Sequence, residues 1–244
     1  MNKIVSIIPA RYQSSRFPGK PLALIAGKPM IQWVYERVKK VQEISEVYVA
    51  TDDQRIFECV NRFGGKAIMT GECVCGSDRV YQACKDIVCD IVLNIQGDEP
   101  MIKTEMIQDL ISAFNDPSVQ MATLKKEIFT ESDINNPNIA KLITDENNNA
   151  IYFSRSTIPY NRDNRDDVHY FKHIGVYGYT KEFLKKFVEM PQSSLEKAEQ
   201  LEQLRAIENG YKIRVIETQY QSIGVDLPEH IKVVEDEMKK EGMV

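Results

Sequence analysis

The sequence has no apolar run long enough to cross a membrane. Spanning a bilayer takes roughly 18 or more apolar residues in succession, and none of the 244 residues belongs to such a run. The amino terminus passes directly into a strand pattern and lacks the profile of a secretory signal peptide. We therefore expect no membrane insertion and a cytoplasmic protein.

Cysteine is scarce and irregularly spaced. Secreted disulfide frameworks use even numbers of cysteines at regular spacings, whereas this chain has five. No histidine lies near Cys73 and Cys75, and their spacing fits no zinc pattern. We expect reduced thiols, with a soft-metal site at this pair as the less favoured alternative.

A surplus of positive charge is also missing. The formal net charge is -5 and the pI is near 5.4, so the overall field does not favour a nucleic acid partner. Any phosphate site must therefore be local. Hydrophobic residues make up 43% and charged residues 27%, which is ordinary for a globular domain.

Two common nucleotide-binding motifs are absent. The glycine spacing of a Walker A loop or of a G-x-G-x-x-G turn occurs nowhere after the first strand pattern. This disfavours a nicotinamide-dependent dehydrogenase. The first strand pattern leads instead into a loop, residues 9–21, which carries Arg11, Arg16 and Lys20 among serines and a glycine.

The first half of the chain alternates strand and helix patterns. Apolar runs at 3–8, 46–50 and 91–95 predict strands buried on both faces. Helical spacing over residues 30–38 and 56–63 predicts helices between them, with Thr51 or Asp52 as the N-cap of the second. This order predicts right-handed βαβ units and a Rossmann-like, mainly parallel sheet.

The second half has the pattern of antiparallel strands. Alternation over 121–126, 140–144, 150–154 and 170–179 predicts an antiparallel insertion, with a turn at 147–149. Helices are predicted at 181–188 and 201–207 and from Pro228 onward, and a strand at 213–216. We expect a single domain over residues 1–244, in three parts. These are residues 1–120, residues 121–226 and a C-terminal helix at 227–244.

Ligands of parallel α/β sheets bind beyond the carboxyl ends of the strands. The basic loop 9–21 comes after the first strand, and backbone amides, hydroxyls and cations suit a triphosphate. A solvated basic loop is the competing interpretation, which the position after the first strand disfavours. Asp98 lies just after a buried strand, beside Gly97, and Asp226 precedes the last helix. Two carboxylates suit Mg²⁺ held together with phosphate oxygens, whereas a turn or N-cap role is the alternative for each aspartate.

Several motifs follow one another along the whole chain. They are Ile8-Pro9-Ala10-Arg11, Phe17-Pro18-Gly19-Lys20-Pro21-Leu22, Ala50-Thr51-Asp52, Asn94-Ile95-Gln96-Gly97-Asp98-Glu99-Pro100, Phe153-Ser154-Arg155, His173-Ile174-Gly175-Val176-Tyr177, Leu201-Glu202-Gln203-Leu204-Arg205 and Gly224-Val225-Asp226. Taken together, these motifs resemble the 3-deoxy-manno-octulosonate cytidylyltransferase family from end to end. Where the family usually has Ser-Gly-Thr-Asp-Arg, this chain has Cys75-Gly76-Ser77-Asp78-Arg79.

The resemblance implies a nucleotidyltransferase fold, with the antiparallel insertion used for dimerisation, and a role for each matching residue. It also implies that residues 1–120 form the nucleotide-binding part and that residues 121–226 form a mixed acceptor-binding and dimerisation part. Catalysis is implied for Arg11, Lys20, Asp98 and Asp226, and Mg²⁺ binding for the two aspartates. Nucleotide binding is implied for Ala10, Arg11, Lys20, Ser77, Asp78 and Gln96. Contacts to the acidic sugar are implied for Arg16, Arg155, His173, Tyr177, Glu202 and Gln203.

The implied reaction transfers CMP from CTP to the anomeric hydroxyl of a 3-deoxy-2-ulosonic acid and releases pyrophosphate. The acceptor would be 3-deoxy-manno-octulosonate (Kdo) or a close analogue such as its 8-amino form, for lipopolysaccharide or capsule precursors. CTP and the sugar acid are the expected partners, together with a second copy of the chain. Two alternatives are another acidic or phosphorylated sugar as acceptor and a non-catalytic nucleotide-binding protein.

Overall fold

The computed structural model describes residues 2–244 as a mixed α/β fold. Strands β1 to β11 are Ile4–Pro9, Leu24–Ile25, Lys28–Pro29, Ile44–Thr51, Ala67–Met69, Ile91–Asn94, Met121–Ile128, Lys141–Thr144, Ala150–Ser154, Tyr170–Thr180 and Arg214–Glu217. Helices α1 to α9 are Met30–Val38, Gln54–Arg62, Gly76–Cys84, Thr104–Ser112, Glu131–Ile134, Lys181–Glu189, Ser194–Glu199, Leu204–Glu208 and His230–Lys240. Within residues 2–244, no helix combines the length and the apolarity needed to cross a bilayer.

The chain forms two compact units. The first runs to Gln108 and resumes at Tyr220–Val244, and the second is Asp109–Gln219. Because the C-terminal segment returns to the first unit, Asp226 belongs with the strands of the first half. The boundaries inferred from the sequence, at 120 and 226, fall elsewhere, and the single domain stays a prediction.

The sheet of the first unit is parallel, as predicted. β1 lies between β6 and β4, and β5 pairs with the outer side of β4. Val5, Ile7 and Ile8 of β1 are completely buried, which is why this strand reads as a continuous apolar run. The loops after β1, β4 and β6 therefore leave the sheet at the same edge.

Helices α1 and α2 cover this sheet. The buried side chains of α1 include Met30, Val34 and Val38, and its limits are those predicted. The prediction that Thr51 or Asp52 caps α2 is wrong. The N-cap is Asp53, whose carboxylate accepts a hydrogen bond of 2.9 Å from the backbone N–H of Arg55, because β4 extends through Thr51.

The C-terminal helix packs in the first unit. Val234 and Met238 of α9 join a buried apolar cluster with Met30 and Val225, and Phe17 of the basic loop packs against that cluster. The helix begins at His230 and is preceded by Glu229 as N-cap. Pro228 therefore lies before the helix, and its predicted place in the first turn is wrong.

The second unit contains the predicted antiparallel strands. β10 is antiparallel to β7 and β8, β9 is antiparallel to β8, and β11 is parallel to β7. Asn148 adopts a φ of 58°, as expected for the turn between β8 and β9. Helix α7 was not predicted, and α8 begins at Leu204 rather than at position 201.

Candidate active site

Two aspartates of the first unit meet at one lysine. The ammonium nitrogen of Lys20 lies 2.5 Å from Asp98 Oδ2 and 3.5 Å from Asp226 Oδ1. The lysine side chain is only 14% exposed, so the three charges share one partly buried position. The sequence separates these residues by 78 and 206 positions, and the fold joins them as predicted.

Close packing between two backbone segments fixes the position of Asp98. A Cβ atom added to Gly97 would lie 2.9 Å from the carbonyl oxygen of Pro9, which is nearer than such atoms approach. Gly97 thus lets the loop after β6 pack against the end of β1. The glycine beside Asp98 thus serves a contact between the two strand ends.

Asp226 is held against the same loop. The backbone N–H of Val225 donates a 2.9 Å hydrogen bond to the carbonyl oxygen of Asp98. The N–H of Asp226 donates to His230 Nδ1 at 3.2 Å. Since Glu229 is the N-cap of α9, the alternative role of Asp226 as a helix cap is wrong, and its carboxylate faces cations instead.

Arg16 contacts this group, although the resemblance assigned it to the sugar. Its Nη2 atom lies 3.0 Å from Asp226 Oδ1, and both side chains remain about half exposed. Phe17, the next residue, is anchored in the apolar cluster. The loop thus carries Arg16 and Lys20 on either side, in sequence, of a partly buried aromatic residue.

Arg11 lies in an open cleft at the base of the same loop. The cleft has a volume of about 710 Å³ and is also lined by Tyr12, Ser15, Asp53 and Arg55. The Arg55 guanidinium lies 3.3 Å from the centre of the Tyr12 ring, a cation–π arrangement. It also donates two hydrogen bonds to Asp53. Sequence reasoning missed Tyr12 and Arg55, because only the fold shows that α2 begins beside this loop.

Several predicted nucleotide-binding residues have structural partners. The N–H of Ala10 donates to the carbonyl of Ala50 at 2.8 Å. Ser77 is 1% exposed, and the Asp78 carboxylate accepts from the backbone N–H of Cys75 in the capping box of α3. Gln96 Nε2 lies 3.3 Å from Asn94 Oδ1. Nucleotide binding by these residues stays a prediction.

Arg79 is a further residue that sequence reasoning did not single out. It is 5% exposed and donates hydrogen bonds of 2.6 Å to Asp52, after β4, and to Thr70, after β5. The guanidinium therefore joins helix α3 to the two loops that follow β4 and β5. The Asp-Arg pair at positions 78 and 79 was the sequence signal that could have indicated the role of Arg79.

In the second unit, an aromatic cluster surrounds His173. The His173 ring centre lies 5.0 Å from that of Phe153 and 5.4 Å from that of Tyr177. Burial lowers the pKa of His173 to about 3, and burial also raises the pKa of Tyr177 well above 10. Both side chains are therefore neutral at physiological pH.

Gln203 completes this cluster and carries an unpaired donor. Its Oε1 atom accepts a hydrogen bond of 3.1 Å from the Tyr177 hydroxyl. Its Nε2 atom is buried and has no hydrogen-bond partner within residues 2–244. Buried amide donors are rarely left unpaired in proteins, so Gln203 can bind an acceptor atom of a ligand. Its half-buried neighbour Glu202 helps to raise the Tyr177 pKa.

Each of the three guanidinium nitrogens of Arg155 donates a hydrogen bond to a backbone carbonyl. Nε donates to the carbonyl of Glu199 at 2.7 Å, Nη1 to that of Pro137 at 3.1 Å, and Nη2 to that of Gln200 at 3.4 Å. The buried Lys141 also donates to the Arg155 carbonyl at 2.6 Å. Arg155 thus connects three segments of the second unit, and its predicted contact with the sugar acid stays a prediction.

Sequence comparison places the chain among enzymes that use CTP. The model of the cytidylyltransferase family matches residues 5–213. The 3-deoxy-manno-octulosonate cytidylyltransferase of Syntrophus aciditrophicus (strain SB) is 51% identical over 97% of this chain and 97% of its own length. This chain belongs to the 3-deoxy-manno-octulosonate cytidylyltransferase family. The enzyme of the same name from Thermodesulfovibrio yellowstonii is 49% identical, over 95% of this chain and 96% of its own.

A solved structure agrees with this cytidylyltransferase over nearly its whole length. It is CMP:2-keto-3-deoxy-manno-octonic acid synthetase complexed with CTP. The sequences are 43% identical, the TM-score is 0.94, and the match covers 98% of this chain and 99% of the other. The family and the α/β fold implied by the resemblance are therefore confirmed, whereas the use of the antiparallel insertion for dimerisation stays a prediction.

The donor set of this cytidylyltransferase fits Mg²⁺ bound together with a nucleotide. Residues 2–244 contain no group of three or more His, Cys, Asp and Glu side chains that would form a complete metal cage. Mg²⁺ usually binds through one or two carboxylates and substrate phosphates rather than through an all-protein cage. Asp98 and Asp226, which converge on the Lys20 ammonium, supply two such carboxylates.

Proposed function

We propose that this protein transfers CMP from CTP to the anomeric hydroxyl of a 3-deoxy-2-ulosonic acid, with 3-deoxy-manno-octulosonate or its 8-amino analogue as acceptor. The observation that carries the proposal is the convergence of Asp98, Asp226 and Lys20. Relatives about half identical over nearly the full length have this activity in their names. The product would serve as a precursor of lipopolysaccharide or capsule.

The reaction needs no protein nucleophile. The sugar hydroxyl oxygen attacks the α-phosphorus of CTP, the bond from that phosphorus to the bridging oxygen of the β-phosphate breaks, and pyrophosphate leaves as the hydroxyl proton is lost. Such a transfer depends on positioning and on charge neutralisation. Lys20 and Arg11 are the cations of the first unit that we assign to the phosphate groups.

Asp98 and Asp226 would hold Mg²⁺, which neutralises phosphate charge and lowers the pKa of an attacking hydroxyl when bound. Lys20 then has two roles. It balances the aspartates' charge in the protein alone, and it is positioned to donate to phosphate oxygens once they are near. Arg16, bonded to Asp226 at 3.0 Å, is the exposed cation that we assign to the sugar carboxylate, which a guanidinium can bind in two places.

The aromatic cluster of the second unit supplies neutral hydrogen-bonding groups. His173 and Tyr177 are uncharged because both are buried, and Gln203 has an unpaired amide donor. A sugar carries many hydroxyls, each of which both donates and accepts. We assign these three side chains to hydroxyl groups of the acceptor, because neutral donors and acceptors suit hydroxyls better than carboxylates.

A pyrophosphate-release assay tests the proposal. The protein is incubated with CTP, Mg²⁺ and a panel containing 3-deoxy-manno-octulosonate, its 8-amino analogue, a sialic-type acid and a phosphorylated sugar. We expect release with CTP and an octulosonate, and no release from Asp98→Asn. The exposed Asp86 provides the control, since Asp86→Asn should retain full activity. Absence of release with every acceptor, or normal release by Asp98→Asn, would overturn the assignment.

We also propose that the protein acts in the cytoplasm as a homodimer. Within residues 2–244, none of the five cysteines takes part in a disulfide, which agrees with a reducing compartment. Ile151, on β9 of the insertion, is 52% exposed, which is unusual for a large apolar side chain in a strand and suits a two-fold interface. Sedimentation of the wild type and of Ile151→Glu tests this, and a wild-type monomer would contradict it.

A further inference from the structure

The irregular part of β10 lies between His173 and Tyr177. Ile174 pairs with Leu124 of β7, but the next pair along β7 joins Thr123 to Tyr177. Two residues of β10, Gly175 and Val176, are therefore extra. In a regular strand, residues four apart are separated by about 13 Å. Here the ring centres of His173 and Tyr177 are 5.4 Å apart, so the bulge brings the two side chains together.

One buried hydroxyl contacts both sides of this bulge. Thr123 is completely buried, and its Oγ1 atom lies 3.1 Å from the carbonyl oxygen of Ile174 and 2.8 Å from that of Val176. The same atom lies 3.0 Å from His173 Nε2. Thr123 is thus the common partner of the bulge and of the histidine ring.

These partners determine which histidine nitrogen carries the proton. A hydroxyl has one hydrogen to donate, and a carbonyl oxygen can only accept. The Thr123 hydrogen is therefore directed to the bulge, where Val176 offers the shorter contact. His173 Nε2 must then be the donor to Oγ1, since two acceptors without a hydrogen between them repel. A neutral histidine with the hydrogen on Nε2 has an unprotonated Nδ1.

We propose that Thr123 is a positioning residue, which fixes His173 as the Nε2–H tautomer so that Nδ1 accepts a hydrogen bond from a hydroxyl of the acceptor sugar. The second half of this statement rests on the proposed function. The first half rests on the hydrogen-bond partners alone. The low pKa of His173, about 3, agrees with it, because a protonated ring would offer no acceptor. Lys125, the cross-strand neighbour of His173, is engaged with Thr144 at 3.2 Å.

The tautomer is measured directly by ¹⁵N NMR of the protein labelled at histidine. The chain has only three histidines, and His169→Gln and His230→Gln assign the remaining signals. We expect a pyridine-like Nδ1 and a pyrrole-like Nε2 for His173 in the wild type. In Thr123→Val, which keeps the shape but removes the hydroxyl, we expect a mixture of tautomers, and Thr123→Ser should restore the wild-type spectrum.

Kinetics test the consequence for the acceptor. Thr123→Val should raise KM for the sugar acid about tenfold, as expected when a buried hydrogen-bonding group loses its partner, and leave KM for CTP unchanged. Thr123→Ser should recover most of the sugar affinity. A pyrrole-like Nδ1 in the wild type, or an unchanged sugar KM in a folded Thr123→Val, would overturn the proposal.

The two proposals fail in different ways. If no sugar acid is a substrate of the wild type, the proposed function is wrong, yet the wild-type NMR spectrum still decides the tautomer. If the enzyme is active but both parts of the Thr123→Val experiment match the wild type, the positioning role alone is wrong. Should Thr123→Val fail to fold, the wild-type spectrum still decides the tautomer of His173. The Thr123→Ser variant then tests the positioning role, because an altered tautomer together with a wild-type sugar KM would contradict that role.

Discussion

The ammonium of Lys20 lies 2.5 Å from the Asp98 carboxylate, although the two residues are far apart in the chain. Lys20→Met removes the cation that contacts both Asp98 and Asp226, and Arg16 still pairs with Asp226. We expect the rate of pyrophosphate release to fall by about 10²–10³-fold, the scale on which removal of one positioned charge-stabilising group acts. Steady-state kinetics with CTP and an octulosonate measure it.

Lys66 offers a matched control for that substitution. It forms a 2.6 Å ion pair with Glu46 at the surface of the same unit, and exposed pairs of this kind contribute little. Lys66→Met should therefore retain wild-type kinetics. Equal losses in the two variants would mean that Lys20 acts on overall charge or stability rather than in the site.

The position of Lys20 leads to a prediction for divalent-cation binding in the absence of nucleotide. Lys20 Nζ contacts both Asp98 and Asp226, so it competes with a metal ion for them. Lys20→Met should bind Mn²⁺ more tightly than the wild type in the absence of nucleotide, by roughly tenfold if one neighbouring charge contributes about 1.4 kcal/mol. Titration followed by electron paramagnetic resonance measures free Mn²⁺. Weaker or unchanged binding would contradict the competition.

Asp226 should determine the Mg²⁺ requirement of the reaction. Asp226→Asn removes one of the two carboxylates, and we expect the Mg²⁺ concentration for half-maximal activity to rise at least roughly tenfold, a scale typical of changes around metal ligands. Activity measured against Mg²⁺ concentration tests this. Asp236→Asn, an exposed substitution on α9, should not change the Mg²⁺ concentration for half-maximal activity. If the Asp226 variant has the wild-type requirement, Asp226 is not a metal ligand.

Much of the fold could be predicted because its signals are local. The strands β1 and β6 are buried along nearly their whole length and read as apolar runs, whereas β4 is continuously buried only at its carboxyl end. Helix α1 has the expected apolar stripe ending at Val38. The limits of shorter elements depend on tertiary contacts. Thr51 is a good N-cap residue by type, but its backbone is still paired in the sheet, so the cap moves to Asp53.

In the candidate site, too, some residues could be predicted from the sequence and others could not. Asp98 and the basic loop with Lys20 could be predicted because each follows a buried strand, whereas Asp226 was indicated by its place before the last helix and by the resemblance. Thr123 could not, because a threonine in a strand looks like any β-branched residue until the bulge opposite it is known. Gly175 inside a strand pattern was the one available sign of that bulge.

His173 and His169 should have opposite effects on stability as the pH falls. Burial lowers the folded-state pKa of His173 from 6.5 to about 3, so between these values the unfolded chain binds the extra proton and acid destabilises the fold. The pKa of His169 is raised by its bond to Glu127, so its stabilising contribution is present at low pH and is lost as the pH rises through the folded-state pKa.

Urea unfolding at pH 7.5 and pH 5 measures both effects. His173→Gln should lose less stability than the wild type between the two conditions, because it has no buried ring to protonate. His169→Gln should lose slightly more, since it lacks a group that stabilises the fold in acid, and this exposed pair makes the change small. Equal pH dependence of His173→Gln and the wild type would show that His173 titrates normally in the folded protein.

Glu196 and Arg205 form the most deeply buried ion pair described in the second unit, with side chains 7% and 4% exposed. Arg205 donates from Nε at 2.9 Å and from Nη2 at 2.6 Å, so both carboxylate oxygens are used. Glu196→Ala removes the carboxylate from a buried guanidinium that keeps its hydrogen bond to the Phe187 carbonyl. Breaking a buried ion pair costs about 3–5 kcal/mol, and urea unfolding should show that loss. Glu46→Ala, which breaks the exposed pair with Lys66, should cost less than about 1 kcal/mol. A loss equally small in Glu196→Ala would mean that Arg205 reaches water or another acceptor once the glutamate is gone.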